Sequence, residues 1–136
     1  MRLAVFFMAL LLLISSACAA TPTWRETDAR GATIVHLYFF WSKHCPHCLE
    51  AKPFVESLAA QYPWLQLHSA EIIDHPESRR QYREMAAALG QEARSVPGFF
   101  LCGEMISGFL SAQETGAELL RKARACRDGI AITQAA

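Results

Sequence analysis

Two cysteines separated by two residues form the motif Cys45-Pro46-His47-Cys48. Thiol-disulfide exchange uses such a pair, because one thiolate attacks a disulfide and a second thiol then releases the partner from the mixed disulfide. Two intervening residues keep both sulfurs within about one helical turn, so the second sulfur can reach the first without unwinding the helix. The motif therefore predicts a redox-active pair of thiols.

Other chemistry of paired cysteines has less support. A non-exchanging disulfide or half of a zinc site are alternatives, but no second CxxC motif or histidine pair at zinc-ligand spacing follows. Covalent haem attachment needs a histidine directly after the second cysteine, where Leu49 stands. A soft metal such as copper remains an alternative, because His44 and His47 lie beside the thiols. His36 and His68 are interpreted as strand residues, and the sequence otherwise indicates no metal and no cofactor.

The elements around the motif predict where these thiols lie. Thr33–Trp41 is apolar, β-branched or aromatic apart from His36, which is typical of a central strand covered on both faces. A helical spacing of apolar residues follows and stops at Pro63: Leu49, Phe54, Val55, Leu58, Ala59 and Tyr62. The motif thus falls where a strand ends and a helix begins. Free backbone N–H groups and the helix dipole stabilise a thiolate there, which favours Cys45 as the attacking thiol and Cys48 as the resolving thiol.

The remainder of the chain continues the alternation of strands and helices. Residues 65–73 predict a second strand, and the next helix starts around Pro76 and runs to Gly90, a natural C-cap. Two short strands around a turn at Gly103 predict an antiparallel hairpin, and a capping box at Ser111 begins a last helix. The order βαβαββα predicts an α/β domain with a mixed central sheet flanked by helices.

With these residues in place, the chain resembles the thioredoxin superfamily over roughly residues 33–126, and its CPHC motif is similar to that of the periplasmic DsbA oxidases. Three further positions carry the resemblance. Pro53 stands eight residues after the first cysteine, where thioredoxins kink the active-site helix. Val96-Pro97 stands where they keep a cis-proline, preceded in DsbA by valine. Gly108 and Ser111 repeat their Gly-x-x-Ser step from the last strand to the last helix. The resemblance implies a thioredoxin-like fold and thiol-disulfide oxidoreductase activity.

The resemblance also implies a role for each residue of the site: Cys45 and Cys48 as catalytic thiols, Pro46 and His47 as tuning residues, and Val96 and Pro97 as the substrate-binding segment. In this family an extended peptide pairs with the backbone before the proline by strand addition. One position departs from the family. Phe39 stands six residues before the first cysteine, where thioredoxin and DsbA keep a buried carboxylate. Proton transfer at Cys48 must therefore use a different group.

The N-terminal residues predict export. Residues 1–20 combine one cation, Arg2, an apolar run over 3–14 and a series of small residues, which is typical of a secretory signal peptide. The apolar run is shorter than the roughly 20 residues that span a bilayer. Cleavage before Ala20 is predicted, with lipidation of Cys18 as the alternative, and the product would be periplasmic or secreted. The expected organisation is a signal peptide (1–20), an N-terminal arm (21–31), a thioredoxin-like domain (32–128) and a C-terminal tail (129–136).

Size and charge narrow the set of partners. A chain of 136 residues is expected to hold one domain. Thirteen basic and thirteen acidic residues without a cluster of either sign give no support for binding nucleic acid. The expected partners are protein thiols or disulfides in the exported compartment, together with a membrane partner that resets the active site. His47 and Val96 favour an oxidant over a reductant, although small exported thioredoxins that act as reductants are the alternative.

The two cysteines of the C-terminal half, Cys102 and Cys126, are expected to meet at the end of the domain away from the motif. The turn near Gly103 and the end of the last helix both lie there in this topology. Disulfides persist outside the reducing cytosol, which favours a structural disulfide over two buried free thiols.

Overall fold

The structure, a computed structural model, describes residues 21–130. The predicted signal peptide, Cys18 and most of the predicted tail lie outside these residues. None of the helices within residues 21–130 combines the length and apolarity needed to cross a membrane. The elements in chain order are β1 (Arg25–Thr27), β2 (Thr33–Trp41), α1 (Pro46–Gln61), β3 (Leu65–Glu71), α2 (Pro76–Ala88), β4 (Gly98–Leu101), β5 (Glu104–Ser107), a π-helical turn (Ala112–Gly116) and α3 (Ala117–Arg127).

The central strand of the sheet is β2. It pairs in parallel with β3 along one edge and antiparallel with β4 along the other, and β5 extends the sheet beyond β4. The short strand β1 also pairs antiparallel with β2, at its first residues. The predicted α/β fold class, a thioredoxin-like mixed sheet flanked by helices, is confirmed by this order and pairing.

Alternating side chains of β2 point into two cores, as the pleat of a strand requires. Val35, Leu37 and Phe39 are fully or almost fully buried in one core with residues of α1 and α3. Tyr38 and Phe40 enter a second core with residues of α2. The continuous apolar run in the sequence is thereby explained, because both faces of β2 are covered.

The predicted N-terminal arm, residues 21–31, contains a strand that the sequence did not predict. Arg25–Thr27 forms β1, with Arg25 opposite Val35 and Thr27 opposite Thr33. All three side chains of β1 are exposed. The strand therefore depends on backbone pairing with β2, and its side chains carry no alternation of apolar and polar residues that could have predicted it.

The second predicted strand ends two residues early, at Glu71 instead of residue 73. The Glu71 carboxylate accepts hydrogen bonds from the backbone N–H groups of Ile73 and Asp74, both at 2.8 Å. These bonds turn the chain out of the sheet. The N–H of Ile72 still donates to the Trp41 carbonyl at 2.9 Å, so the side-chain acceptor replaces strand pairing only from residue 73 onward.

The last helix begins with a π-helical turn, Ala112–Gly116. Ser111 caps this turn as predicted, because its Oγ accepts the N–H of Glu114 at 3.1 Å. A Cβ at Gly116 would lie 2.5 Å from the ring of Phe54 on α1. Glycine at this position therefore lets the start of α3 approach α1.

A disulfide joins Cys102 to Cys126, with a Cα–Cα distance of 6.1 Å that suits such a bridge. It connects the β4–β5 turn to the end of α3. Cys102 follows Leu101, which pairs with Leu37 in the first half of β2, whereas the CPHC motif follows the end of β2. The disulfide therefore lies at the far end of the sheet from the motif. Lys122 and Glu104 form an ion pair between the same two elements.

We expect Cys102→Ser to lower the free energy of unfolding by about 3 kcal/mol, because the disulfide closes a loop between residues 24 apart in sequence. Urea unfolding of the purified protein, with and without dithiothreitol, measures this effect. In a Cys45→Ser/Cys48→Ser background, where the reductant cannot act on the motif, dithiothreitol should lower the stability by a similar amount, and the further substitution Cys102→Ser should remove this effect. Peptide mapping of unreduced protein that finds both thiols alkylated would contradict the prediction.

Candidate active site

Cys45 occupies the N-cap of α1. Its backbone is extended, with φ −97° and ψ 114°, and its Sγ accepts a hydrogen bond from the N–H of Cys48 at 3.3 Å. Pro46 takes the first helical position, where its missing N–H costs nothing because that group would have no partner in the helix. The sulfur thus receives an N–H group at the positive end of the helix dipole, which stabilises a negative charge there.

The chain before Cys45 is held in a turn by Ser42, a buried residue that sequence reasoning missed. Its carbonyl accepts the N–H of Cys45 at 3.1 Å, and its Oγ accepts the N–H of His44 at 3.1 Å. A serine three residues before a helix start is a local turn signal that could have indicated this role. Ser42 therefore links the end of β2 to the N-cap.

The two thiols of the motif differ in exposure. Both are free cysteines; Cys45 is partly exposed, whereas Cys48 is fully buried. Burial, followed by the hydrogen bond with Cys45, raises the pKa of Cys48 to about 12. Cys48 therefore keeps its proton at neutral pH, and only Cys45 offers a sulfur that an external disulfide can reach.

The segment Val96-Pro97 lies directly beside the accessible thiol, although 51 residues separate Val96 from Cys45. The Cys45 thiol donates to the Val96 carbonyl, with 3.6 Å between Sγ and the oxygen. The Val96–Pro97 peptide bond is cis, and the Pro97 side chain is fully buried. The Pro97 carbonyl accepts the N–H of Gly108 at 2.8 Å, which fixes the other side of this segment.

The remaining tuning residues are at the surface. Pro46, His44 and His47 are exposed. Within residues 21–130, the His47 side chain forms no hydrogen bond or ion pair, so its predicted effect on the Cys45 thiolate stays a prediction. Outside the motif, Lys43 forms an ion pair with Asp74 that joins the β2–α1 and β3–α2 connections.

Phe39 stands six residues before Cys45, at the position for which the sequence resemblance implies a carboxylate. Its side chain is fully buried and stacks on Phe99, with 5.1 Å between the ring centroids and 11° between the planes. It belongs to the same core as the inner face of α1, the helix that carries Cys48. This core therefore supplies no acidic side chain at position 39 that could accept a proton from Cys48.

His36 and His68, on the neighbouring strands β2 and β3, lie together and away from the thiols. His36 Nδ1 and His68 Nε2 are 2.7 Å apart, and the Glu26 carboxylate is 3.3 Å from His36 Nε2. Burial, followed by the proximity of His36, lowers the pKa of His68. In the described part of the chain no group of three or more potential ligands is arranged to hold a metal ion.

Comparison with known proteins gives similarity in structure alone. No protein-family model and no curated protein matches the sequence. A thioredoxin from Fasciola hepatica aligns with 18% identity over 64% of this chain and 79% of its own, with a TM-score of 0.47. Reduced Escherichia coli glutaredoxin aligns with 21% identity over 67% and 100%, with a TM-score of 0.49. A buckwheat glutaredoxin in complex with glutathione aligns with 24% identity over 70% and 81%, with a TM-score of 0.47. Because the identities are below 25% and the TM-scores are below 0.5, the assignment of the fold depends on the order and pairing of the strands and not on these matches.

We expect the two thiols to react very differently with iodoacetamide. In the native, reduced protein at pH 7, Cys45 should be alkylated and Cys48 should stay unmodified, which mass spectrometry of the digested protein can measure. In Cys45→Ser the hydrogen bond with the Cys45 thiol is lost but burial, the largest cause of the raised pKa, remains, so the rate of Cys48 alkylation should still increase with pH beyond pH 9. A rate of Cys48 alkylation that stops rising below pH 9 would contradict the raised pKa of Cys48.

Proposed function

We propose that this protein is a thiol-disulfide oxidoreductase that exchanges disulfides with protein substrates through Cys45 and Cys48. The observation that carries the proposal is the asymmetry of the two thiols. Cys45 is accessible and receives the Cys48 N–H at the end of α1, whereas Cys48 is buried directly behind it. A nucleophile that faces solvent and a protected resolving thiol are the two parts that exchange requires.

In the oxidising direction the protein starts with a Cys45–Cys48 disulfide. A substrate thiolate attacks Cys45 Sγ, the bond between the two cysteines breaks, and Cys48 leaves as a thiolate that takes up a proton. A second substrate thiolate then attacks the substrate sulfur of the mixed disulfide, and Cys45 leaves as a thiolate. Two electrons pass from the substrate dithiol to the protein, and the reverse sequence reduces a substrate disulfide.

The high pKa of Cys48 disfavours its thiolate, whereas the position of Cys45 at the start of α1 favours its thiolate. Burial disfavours the Cys48 thiolate, so after leaving Cys45 it takes up a proton and then remains an unreactive thiol at neutral pH. The N–H group and dipole at the start of α1 stabilise the Cys45 thiolate as a leaving group. Stabilising the reduced form in this way makes the disulfide a stronger oxidant.

The surroundings of Cys45 suit an extended peptide. Val96 places a backbone carbonyl beside the thiol, and such groups can pair with a substrate strand. Leu49, one residue beyond the motif, is 51% exposed, and Leu110, two residues after Gly108, is 75% exposed. The N–H of Gly108 binds the Pro97 carbonyl. Exposed apolar side chains at these positions would give a protein substrate contact area that a small thiol does not need.

We propose the oxidising direction and an exported location on the basis of the CPHC sequence and the N-terminal segment. The chain would then act in the periplasm or outside the cell, with a membrane partner that reoxidises Cys45 and Cys48, and with a lipid anchor at Cys18 as a variant. A reductant fed by a membrane partner is the second candidate. No observation on the described residues favours the copper-binding alternative.

Equilibration of the purified protein with glutathione buffers tests both the activity and its direction. We expect exchange that depends on Cys45, with a potential nearer the −120 mV end of the roughly −270 to −120 mV range. Cys45→Ser should abolish exchange, and Cys48→Ser should trap a mixed disulfide that mass spectrometry can detect. A potential at or below about −250 mV would identify a reductant. Absence of exchange in the wild type would refute the proposed function.

Phe39→Glu tests how proton transfer limits the reaction. A glutamate in this core could accept the proton of Cys48, and general base assistance typically accelerates a reaction by about a hundredfold or more. We expect faster insulin reduction at pH 7, together with a loss of stability from the buried carboxyl group. Phe39→Leu is the matched control, since it changes the packing without adding a base. A folded Phe39→Glu protein that reduces insulin no faster than Phe39→Leu would show that proton transfer is not limiting.

A further inference from the structure

Tyr82 is a buried polar residue that the exchange mechanism does not use. It lies on α2, and only 2% of it is exposed. Its ring stacks on Phe40, with 4.9 Å between centroids and 18° between planes, and meets the edge of Phe100 at 5.8 Å. Packing on the second core therefore fixes the ring, and with it the direction in which the hydroxyl points.

The Tyr82 hydroxyl donates a hydrogen bond to the carbonyl of Ser95 at 2.5 Å. Ser95 directly precedes Val96, whose carbonyl contacts the Cys45 thiol. The bond thus crosses from α2 to the connection that leads into β4. Burial, followed by the interaction with Cys48, raises the pKa of Tyr82 to about 12, so the phenol remains a donor throughout the neutral range.

The absence of a side chain at Gly98 leaves room for the Tyr82 ring. A Cβ at Gly98 would lie 2.5 Å from Tyr82 Oη and 2.7 Å from the nearest ring carbons. Gly98 is the first residue of β4 and directly follows Pro97. The ring therefore packs against the backbone on one side of Val96-Pro97 while its hydroxyl binds the backbone on the other side.

We propose that Tyr82 is a positioning residue for the substrate-binding segment: its hydroxyl anchors the Ser95 carbonyl and so holds the Val96 backbone beside Cys45 in the orientation that an extended peptide must pair with. The inference rests on the proposed function and adds to it a residue that positions the peptide-binding segment. Tyr82 acts through Ser95 and Val96 and makes no contact with the reacting sulfurs in this scheme.

Tyr82→Phe removes the hydroxyl and keeps the ring. We expect the KM for a synthetic peptide disulfide to rise about fivefold, which corresponds to the net contribution of one hydrogen bond of about 1 kcal/mol. The value of kcat should stay unchanged. Hydroxyethyl disulfide has no backbone to pair with Val96, so its exchange rate with Tyr82→Phe should change much less than the KM for the peptide.

Tyr38→Phe is the matched control. Tyr38 lies in the same core, and its hydroxyl also donates to a backbone carbonyl, that of Thr23 at 3.1 Å. Thr23 belongs to the N-terminal segment and not to the substrate-binding segment. Tyr38→Phe should therefore lower stability to a similar degree without a change in the KM for the peptide. An equal rise in KM for both variants would overturn the proposal.

Hydrogen-deuterium exchange of the reduced protein tests the anchoring without any activity. In Tyr82→Phe, the amide of Gly108, which donates to the Pro97 carbonyl, and the amide of Gly98 at the start of β4 should exchange about tenfold faster than in the wild type, while amides of β2 and β3 keep their rates. Unchanged exchange of these two amides, or a uniform increase throughout the sheet, would overturn the positioning role. If the wild type lacks exchange activity, the proposed function fails, and this measurement still decides whether Tyr82 anchors the segment.

Discussion

The hydrogen bond from the Cys48 amide to Cys45 Sγ is the interaction on which the chemistry of this protein depends. It makes a thiol the cap of a helix, so that the unpaired N–H groups of α1 serve as the electrostatic support of a sulfur anion. The same bond places the second thiol one turn into the helix, where it is buried. One local contact thereby separates a partly exposed thiol from a buried one.

That contact requires a rigid support, and β2 provides it. The strand pairs with three others and fills a core on each face, so the point where it ends has little freedom. Ser42 then turns the chain directly into the N-cap, and Pro46 favours a helix from its first residue. Phe39 belongs to this support and not to the proposed chemistry, because its ring is fully buried and stacks on Phe99.

The two cysteine pairs serve different purposes because they lie at opposite ends of the sheet. Cys102 and Cys126 close a covalent link between a hairpin turn and the last helix, beside the Lys122–Glu104 ion pair. That link limits the freedom of the unfolded chain. The pair proposed to exchange lies where loops from both halves of the chain converge. The length of the domain separates the structural disulfide from this pair, so the fold can contain both without mixing them.

The sequence by itself determined the features that depend on neighbouring residues. The end of β2, the start of α1 at the motif, the cap at Ser111 and the order of the main elements follow from local apolar patterns, prolines and capping groups, whose physics acts within a few residues. Tertiary structure decided what depends on contacts between distant residues. The pairing of β1, the approach of Val96 to Cys45 and the bond from Tyr82 to Ser95 depend on where separate elements pack, because backbone pairing and side-chain direction carry no periodic signal in the sequence.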